Sequence, residues 1–155
     1  FTIDFPQNIT QVHFIKLRLF DTKGKEVANT FYWRSNDKYE GRKTLTGPTS
    51  SGFEDLSKLK QVQLKTRYQT YQEGDRHFIK AEIKNPSSTV AFFTQLQLLG
   101  QDKKPVRPSF YTDNFFSLLP GESKTVIIET AASDMPSEPT FVVKGWNIKP
   151  SSFKL

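Results

Sequence analysis

The chain has 155 residues, enough for one domain of ordinary size or for one domain plus a fragment. Only 35% of its residues are hydrophobic, but 14 of them are phenylalanine, a composition that favours strands over helices. The absence of cysteine excludes disulfide bonds, thiolate metal sites and thiol nucleophiles, and two histidines are too few for a multi-histidine metal site. No apolar run approaches the ~18 residues of a membrane span, and no charged-then-apolar leader opens the chain.

The formal net charge is +6, from 22 lysines and arginines against 16 aspartates and glutamates. The basic residues are spread along the chain and mostly alternate with apolar residues, whereas a nucleic-acid-binding protein clusters them in a patch. This pattern is typical of the solvated face of strands. We therefore expect neither a nucleic acid nor a membrane as a partner.

The first predicted element is a β-hairpin over residues 12–33. Residues 12–20 (VHFIKLRLF) alternate between apolar and polar positions, and residues 27–33 (VANTFYW) supply the return strand. Between them, residues 21–25 have turn chemistry, with Gly24 available for a positive φ.

A polar segment follows the hairpin. Residues 35–58 are interrupted by glycines and a proline, as in a linker or long loop. Near its end, residues 53–59 predict one short helical turn with Phe53, Leu56 and Leu59 on one side.

From residue 61 onward, short alternating runs return, separated by turn-forming residues. The alternation places His77 beside Ile79 on an inward-facing side. Pro105 and Pro108 suit an edge strand, and Leu119–Glu122 fits a type II turn. The predicted strands span residues 61–69, 77–84, 90–99, 104–112, 115–119, 124–129 and 140–148.

About seven short strands with turn signals every 8–12 residues are typical of an antiparallel sandwich of two sheets. The fold class predicted from the sequence is therefore all-β: an immunoglobulin-like antiparallel β-sandwich, preceded by an extra β-hairpin and a linker. The corresponding division of the chain is residues 1–35 for the hairpin, 36–58 for the linker and 59–155 for the sandwich.

One internal similarity relates the hairpin to the sandwich. Residues 17–32 resemble residues 96–111, with leucines at the start and a Phe-Tyr pair at the end of both. The sequence leaves two interpretations open. The segments are either two ordinary hairpins with similar turns or parts of two related sandwich domains, the first only partly present.

We find no catalytic constellation in the sequence. Its carboxylates fall mainly in turns and loops, where acidic residues usually cap or face solvent, and no motif pairs two of them for general acid and base work. A Ser-His-Asp triad would have to recruit His13 or His77, and both the G-x-S-x-G elbow and the phosphate-binding loops are absent. We expect no catalytic residue, no metal site and no cofactor here.

Contiguous aromatic residues are the remaining feature. They occur at residues 31–33, 110–111 and 115–116. Because neighbouring residues on a strand point to opposite faces, at least one ring of each group is expected outside the core. Such a ring either stacks on a sugar or is buried against a neighbouring domain.

Residues 111–122 (YTDNFFSLLPGE) resemble a stretch in the C-terminal β-sandwich of glycoside hydrolase family 2 enzymes of the β-mannosidase and exo-β-glucosaminidase type. Thr112 stands where that family usually has serine. Residues 52–59 resemble the segment that leads into the last domain of these enzymes. Gly145-Trp146-Asn147 is similar to the Gly-Trp-Asn near their end.

The hairpin shares in the resemblance. Residues 13–35 look like the last hairpin of the preceding sandwich domain, with Arg34 in place of an apolar residue. The resemblance therefore implies that residues 1–35 are the terminal fragment of that domain. An isolated hairpin is marginally stable, so it is expected to dock on a sandwich edge or to pair with a second copy, giving a dimer.

The resemblance also implies what this chain does. The two catalytic glutamates of such enzymes lie on an upstream (β/α)₈ barrel, so this chain would be a non-catalytic accessory region whose partner is the catalytic barrel of the same parent chain. The parent would hydrolyse β-mannoside-like or glucosaminide-like substrates and would be secreted or periplasmic. A chain that opens on Phe1 is expected to be a processed product or part of a longer sequence.

The resemblance selects Tyr111, Asp113, Asn114 and Trp146 as residues of a domain interface or substrate entrance. The alternative for the polar pair is structural: Asp113 caps the turn before Phe115, and Asn114 adopts a left-handed φ.

A second hypothesis is an independent carbohydrate-binding module, in which Trp33, Tyr111 or Trp146 would be the aromatic platform. A third is an adhesin-like sandwich unrelated to glycosidases. The sequence leaves these alternatives open.

Overall fold

The computed structural model describes residues 6–36 and 52–155. The described part is all-β with antiparallel sheets and only two short 3₁₀ turns, which confirms the predicted fold class. The chain divides into two compact units, Phe1–Leu59 and Lys60–Leu155. Most of the predicted linker, residues 36–58, lies outside the described residues, and the predicted division of the chain stays a prediction.

The first unit contains the predicted hairpin. Strands β1 (Val12–Phe20) and β2 (Glu26–Ser35) pair antiparallel along their whole length. The turn is fixed by the carboxylate of Asp21, which accepts hydrogen bonds from the N–H groups of Lys23 and Lys25 at 2.9 Å each, and by Gly24 at φ 77°. The predicted helical turn is also present, as a 3₁₀ turn over Glu54–Lys58.

The second unit is a sandwich of two four-stranded antiparallel sheets. One has the strand order β10-β9-β5-β7 and the other has the order β3-β4-β8-β6. The strands are β3 (Lys65–Glu73), β4 (Arg76–Lys84), β5 (Ala91–Leu99), β6 (Phe110–Tyr111), β7 (Phe116–Leu118), β8 (Ser123–Ala131), β9 (Thr140–Gly145) and β10 (Ile148–Lys154).

The core follows from the period-2 alternation of apolar residues. In one sheet Ile79 lies opposite Ile128, and in the other Leu98 lies opposite Phe141. All four side chains are at most 1% exposed. Each buried side chain of this size contributes about 1.5–3 kcal/mol to folding, so the inner faces of the two sheets hold the sandwich together.

Prolines explain two differences from the predicted strands. The run at 104–112 shortens to the two residues of β6, because Pro105 and Pro108 donate no backbone hydrogen bond. As predicted, β6 is an edge strand. The predicted last strand at 140–148 is instead two strands, β9 and β10, and β10 tolerates Pro150 because it is also an edge strand.

The internal similarity corresponds to a shared turn. The N–H of Asp21 donates to the carbonyl oxygen of Lys25, and in the second segment the N–H of Gly100 donates to that of Lys104. An antiparallel bridge between Leu99 and Pro105 flanks the second turn, after which the chain runs on to β6 in the other sheet. The turns are alike, and the choice between two hairpins and two related domains stays open.

Gly145→Ala tests how tightly the chain packs where β9 ends. A Cβ at this position would lie 2.5 Å from Cδ1 of Ile148 and 2.9 Å from the carbonyl oxygen of Phe93. Because a backbone oxygen cannot step aside as a flexible side chain does, we expect the free energy of unfolding to fall by about 1–3 kcal/mol in denaturant titrations. Ser152→Ala, at an exposed position of β10, is the control; equal stabilities of the two variants would contradict the prediction.

Candidate functional site

The candidate site is built on an irregularity in β5. The pairing between β5 and β7 shifts register between Ala91 and Thr94, so a bulge includes Phe92 and Phe93. Phe92 is buried, at 3% exposed, whereas Phe93 is 39% exposed and has φ 58°. The bulge therefore directs one aromatic ring outward at this end of the sheet.

The side chain of Asn147 holds the bulge in place. Its Oδ1 accepts a hydrogen bond from the N–H of Phe92 at 2.8 Å. Its Nδ2 donates to the carbonyl oxygens of Lys60 at 2.9 Å and Val90 at 2.8 Å. With the residue only 4% exposed, this amide replaces three backbone hydrogen bonds that the irregular chain does not make with itself.

Trp146 lies on the opposite side of the same turn. Its backbone N–H donates to the carbonyl oxygen of Phe92 at 3.0 Å. The indole is 59% exposed. The Gly145-Trp146-Asn147 turn thus buries the side-chain amide of Asn147 and exposes the indole of Trp146.

Asn114 makes a second amide link to β5. Its Oδ1 accepts from the N–H groups of Leu96 at 2.8 Å and Phe115 at 3.0 Å, and its Nδ2 donates to the carbonyl oxygen of Leu96 at 3.0 Å. Asp113 accepts from the N–H of Asn114 at 2.7 Å and forms an ion pair with Lys124. Both polar side chains therefore brace the segment that enters β7.

One sequence prediction for this segment is wrong. The residue with left-handed backbone is Phe115, at φ 57°, and not Asn114. A bulky side chain in this conformation costs about 1–3 kcal/mol. Oδ1 of Asn114 accepts a hydrogen bond from the N–H of Phe115, which holds the backbone here and places the Phe115 ring, 49% exposed, on the surface.

Tyr111 packs at the edge of the sandwich core. Its hydroxyl oxygen accepts a hydrogen bond from the N–H of Leu98 at 3.0 Å. Burial raises the pKa of the Tyr111 phenol, and the hydrogen bond from Leu98 opposes this rise only in part. The hydroxyl is thus committed to the backbone of β5.

Three exposed rings lie around the bulge and form what we call the aromatic patch: Phe93 and Phe115, which contact each other, and Trp146, which is linked to Phe93 through the buried Phe92. The ring centroids of Phe93 and Phe115 are 5.5 Å apart, with 48° between the ring planes. The buried Phe92 contacts Phe93 at 5.7 Å and Trp146 at 6.5 Å, with interplanar angles of 49° and 67°. Phe93 and Phe115 are therefore tilted rings and not parts of a flat platform.

The structure separates the residues that the sequence grouped. Trp146 belongs to the aromatic patch. Asp113 and Asn114 brace the backbone that carries another ring of the patch, Phe115. Tyr111 lies in the same segment but bonds inward. Trp33 lies on β2 in the other unit, 43% exposed. Their predicted role in an interface or entrance stays a prediction.

Sequence reasoning missed Phe93 and did not single out Phe115. Each is one of two consecutive phenylalanines, and in each pair one ring is buried and the other exposed. The doubled phenylalanine was the available signal, because alternation forces one ring outward.

Other groups offer little chemistry. Within residues 6–36 and 52–155, no three His, Cys, Asp or Glu side chains are grouped closely enough to hold a metal ion. A surface cleft of about 520 Å³ beside Gly100 and Pro139 is lined by one carboxylate, Glu138, whereas glycoside hydrolysis uses two. No helix in the described part of the chain is long and apolar enough to span a membrane.

Comparison with known proteins identifies the sandwich. A family model described as the exo-β-D-glucosaminidase Ig-fold domain matches residues 44–148. The chain belongs to this family. The match covers most of the second unit, which agrees with the observed sandwich.

Two curated relatives extend the match along the chain. The exo-β-D-glucosaminidase of Streptomyces avermitilis is 30% identical over 149 residues, covering 90% of this chain and 16% of the relative. The exo-β-D-glucosaminidase of Amycolatopsis orientalis is 27% identical over 157 residues, covering 94% and 15%. The chain therefore spans about one sixth of the length of the curated relatives it matches.

Solved structures agree with the fold. The exo-chitosanase CsxA of A. orientalis superposes with a TM-score of 0.85 at 22% identity, covering all of this chain and 19% of that one. A second CsxA structure, from a study of its inhibition by castanospermine and australine analogues, gives 0.82 at 24% identity. At this identity the likeness establishes the fold alone.

Asn147→Ala tests the amide that holds the bulge. It leaves the N–H of Phe92 and the carbonyl oxygens of Lys60 and Val90 without their partner. Each unsatisfied buried group costs about 1–3 kcal/mol, so we expect a loss of at least about 3 kcal/mol in denaturant titrations. The control is Asn29→Ala, which removes one exposed bond to a side chain and should change stability by less than about 0.5 kcal/mol; a similarly small change at Asn147 would contradict its bracing role.

Tyr111→Phe tests the hydroxyl bond to β5. Near neutral pH it should lower the free energy of unfolding by about 1–3 kcal/mol, because the N–H of Leu98 loses its acceptor. Since the folded pKa is raised, the contribution of the Tyr111 phenol is complete below its ordinary pKa of about 10 and is lost as the pH rises through the folded pKa. The stability difference between wild type and variant should therefore shrink from about pH 8 to about pH 11.

Denaturant titrations at both pH values measure this difference. Tyr32→Phe, at a 48% exposed position of the hairpin, is the matched control and should show little difference at either pH. A gap for Tyr111 that stays constant or widens in alkali would be inconsistent with the burial of its phenol.

Proposed function

We propose that this chain is a non-catalytic accessory region of a longer glycoside hydrolase family 2 enzyme that cleaves β-D-glucosaminides. The observation that supports this most is the family match over residues 44–148, in a chain that spans about one sixth of its curated relatives. A catalytic domain in the same polypeptide accounts for the remaining length. Both curated relatives are exo-β-D-glucosaminidases, which favours a glucosaminide over a mannoside as the substrate of the parent enzyme.

The chemistry of the described sandwich supports an accessory role. The polar side chains of the candidate site are engaged with backbone groups of the sandwich. Two carboxylates that could serve as acid or base are in ion pairs instead: Asp113 with Lys124 and Glu129 with Arg76. Supporting a catalytic domain is therefore a better use of this surface than catalysis. Secretion or a periplasmic location remains part of the proposal and is supported by the resemblance alone.

The exposed rings of the aromatic patch favour a second candidate, an independent carbohydrate-binding module. Aromatic rings can bind sugars by stacking, and Trp146 is the most exposed of the three. Its weakness is geometric, since the planes of Phe93 and Phe115 are tilted by 48° to each other. Titration of tryptophan fluorescence with glucosamine oligosaccharides separates the two, because an accessory domain gives a flat curve and a binding module gives saturable quenching.

The experiment for the main proposal is an activity comparison. The longer polypeptide that carries this sequence is assayed on p-nitrophenyl β-D-glucosaminide and on the corresponding β-D-mannoside. We expect release of p-nitrophenol from the glucosaminide at a rate at least about tenfold above that from the mannoside. The 155-residue chain assayed at the same concentration is the control and should be inactive on both. Preference for the mannoside would reverse the substrate assignment, and turnover by the 155-residue chain would refute the accessory role.

A further inference from the structure

We propose that the aromatic patch of Phe93, Phe115 and Trp146 is the surface through which the sandwich packs against an apolar surface of another domain of the same polypeptide. The inference rests on one part of the proposed function, namely that the sandwich belongs to a longer chain. It adds which residues form the contact.

The backbone is shaped to expose these rings. Phe93 and Phe115 both have left-handed φ angles, 58° and 57°, which bulky side chains rarely adopt. Side-chain hydrogen bonds hold both: the N–H of Phe93 donates to Oγ of Ser117 at 3.2 Å, and the N–H of Phe115 to Oδ1 of Asn114 at 3.0 Å. Strain that the surroundings enforce in this way is typical of functional surfaces.

Exposed apolar surface of the second unit is concentrated at the patch. Five large hydrophobic residues of the described part of the second unit are more than about a third exposed, and three of them form the patch. Exposed apolar residues scattered singly need no explanation, but a contiguous aromatic group marks an interaction site. Aromatic side chains are enriched in the centres of protein interfaces.

The arrangement of the rings favours a protein partner over a sugar. A sugar chain stacks best on rings that share a flat platform, whereas the planes of Phe93 and Phe115 are tilted by 48° to each other. A glucosamine oligomer also carries positive charge, and the net charge of this chain is +6, so electrostatics do not attract it. Tilted rings instead interlock with the side chains of an apolar protein surface.

The length of the relatives favours another domain of the same polypeptide as the protein partner. Curated relatives devote 15–16% of their length to the region matched here, so most of the polypeptide is available as a covalently attached partner. Attachment in one chain gives a high effective concentration, so a small patch suffices for stable packing. Another domain of the same chain is thus favoured over a second copy.

Hydroxyl-radical labelling of the longer polypeptide, read by mass spectrometry, tests the proposal. The protection ratio of each ring is its labelling in denaturant divided by its labelling in the native protein. We expect a ratio of at least about 10 at Phe93, Phe115 and Trp146, although their exposure in the sandwich predicts about 2. Phe110, 56% exposed and outside the patch, reports whether the radicals reach an exposed ring.

Three outcomes would overturn the proposal. The first is a ratio near 2 at the patch. The second is protection that appears only on addition of glucosamine oligosaccharides, which would assign the patch to sugar. The third is protection that disappears on dilution of the protein, which would assign it to a second copy. The assay on p-nitrophenyl β-D-glucosaminide is independent, so loss of the proposed activity with retained protection would leave this inference standing.

Phe115→Asn in the longer polypeptide gives a second test. Asparagine accepts a left-handed φ more readily than phenylalanine, so the substitution removes the ring without adding backbone strain. We expect labelling of Phe93 and Trp146 to rise at least about threefold, whereas Phe110→Ala should leave it unchanged. Unchanged labelling at both positions in Phe115→Asn would contradict the proposal. If that variant does not fold, Trp146→Ala with labelling read at Phe93 gives the same comparison.

Discussion

The buried amide of Asn147 joins the turn between β9 and β10 to two other segments of the sandwich, one at Lys60 and one at the start of β5. It bonds to the chain at Lys60, where the unit begins, to Val90 before β5, and to Phe92 inside the bulge. An amide is suited to this position because it donates and accepts at once, whereas a carboxylate would meet two carbonyl oxygens without a proton to give. The bulge, the turn that exposes Trp146 and the packing of the first residues of the unit all depend on this one side chain.

The same solution recurs at other irregular places in the sandwich. Asn114 bonds to both backbone groups of Leu96, and the hydroxyl of Tyr111 takes the N–H of Leu98. On the other sheet, the hydroxyl of Thr130 donates to the carbonyl of Pro108, in a segment where proline has interrupted pairing. Polar side chains thus complete the hydrogen bonding that bulges and prolines remove, as buried backbone groups require. Asn114 and Tyr111 thus have a structural role in the sandwich, and their predicted role in an interface or entrance stays a prediction.

The regular parts of the fold could be predicted from the sequence because their signal is local. Alternation along β4 placed Ile79 and Ile83 in the core, and both are buried. The second half of the last hairpin was missed because Pro150 and the short turn before Ile148 mask the alternation of β10. The left-handed φ was assigned to Asn114 on intrinsic preference, but the side chain of Asn114 is bonded to the backbone of Leu96 and the left-handed φ lies at Phe115.

The aromatic patch was out of reach of sequence reasoning for a further reason. Its rings come from residues 93, 115 and 146, and their proximity depends on sheet order and on the register shift in β5. Pattern reasoning assigns faces within one strand, but it does not say which strands become neighbours. The doubled phenylalanines indicated that rings must be exposed, yet not that they meet.

Two of the segments that resemble glycosidase sandwiches, residues 111–122 and residues 145–147, both bond to β5 in the structure. Each contributes one amide to the backbone of β5, from Asn114 or Asn147, and each exposes one aromatic ring, Phe115 or Trp146. A sandwich needs amides of this kind for its own stability, but it gains nothing from an exposed phenylalanine in a strained backbone. A purely structural explanation therefore accounts for the asparagines and leaves the rings unexplained. Packing against another domain accounts for both, because the amides then fix the rings in the positions that the contact requires.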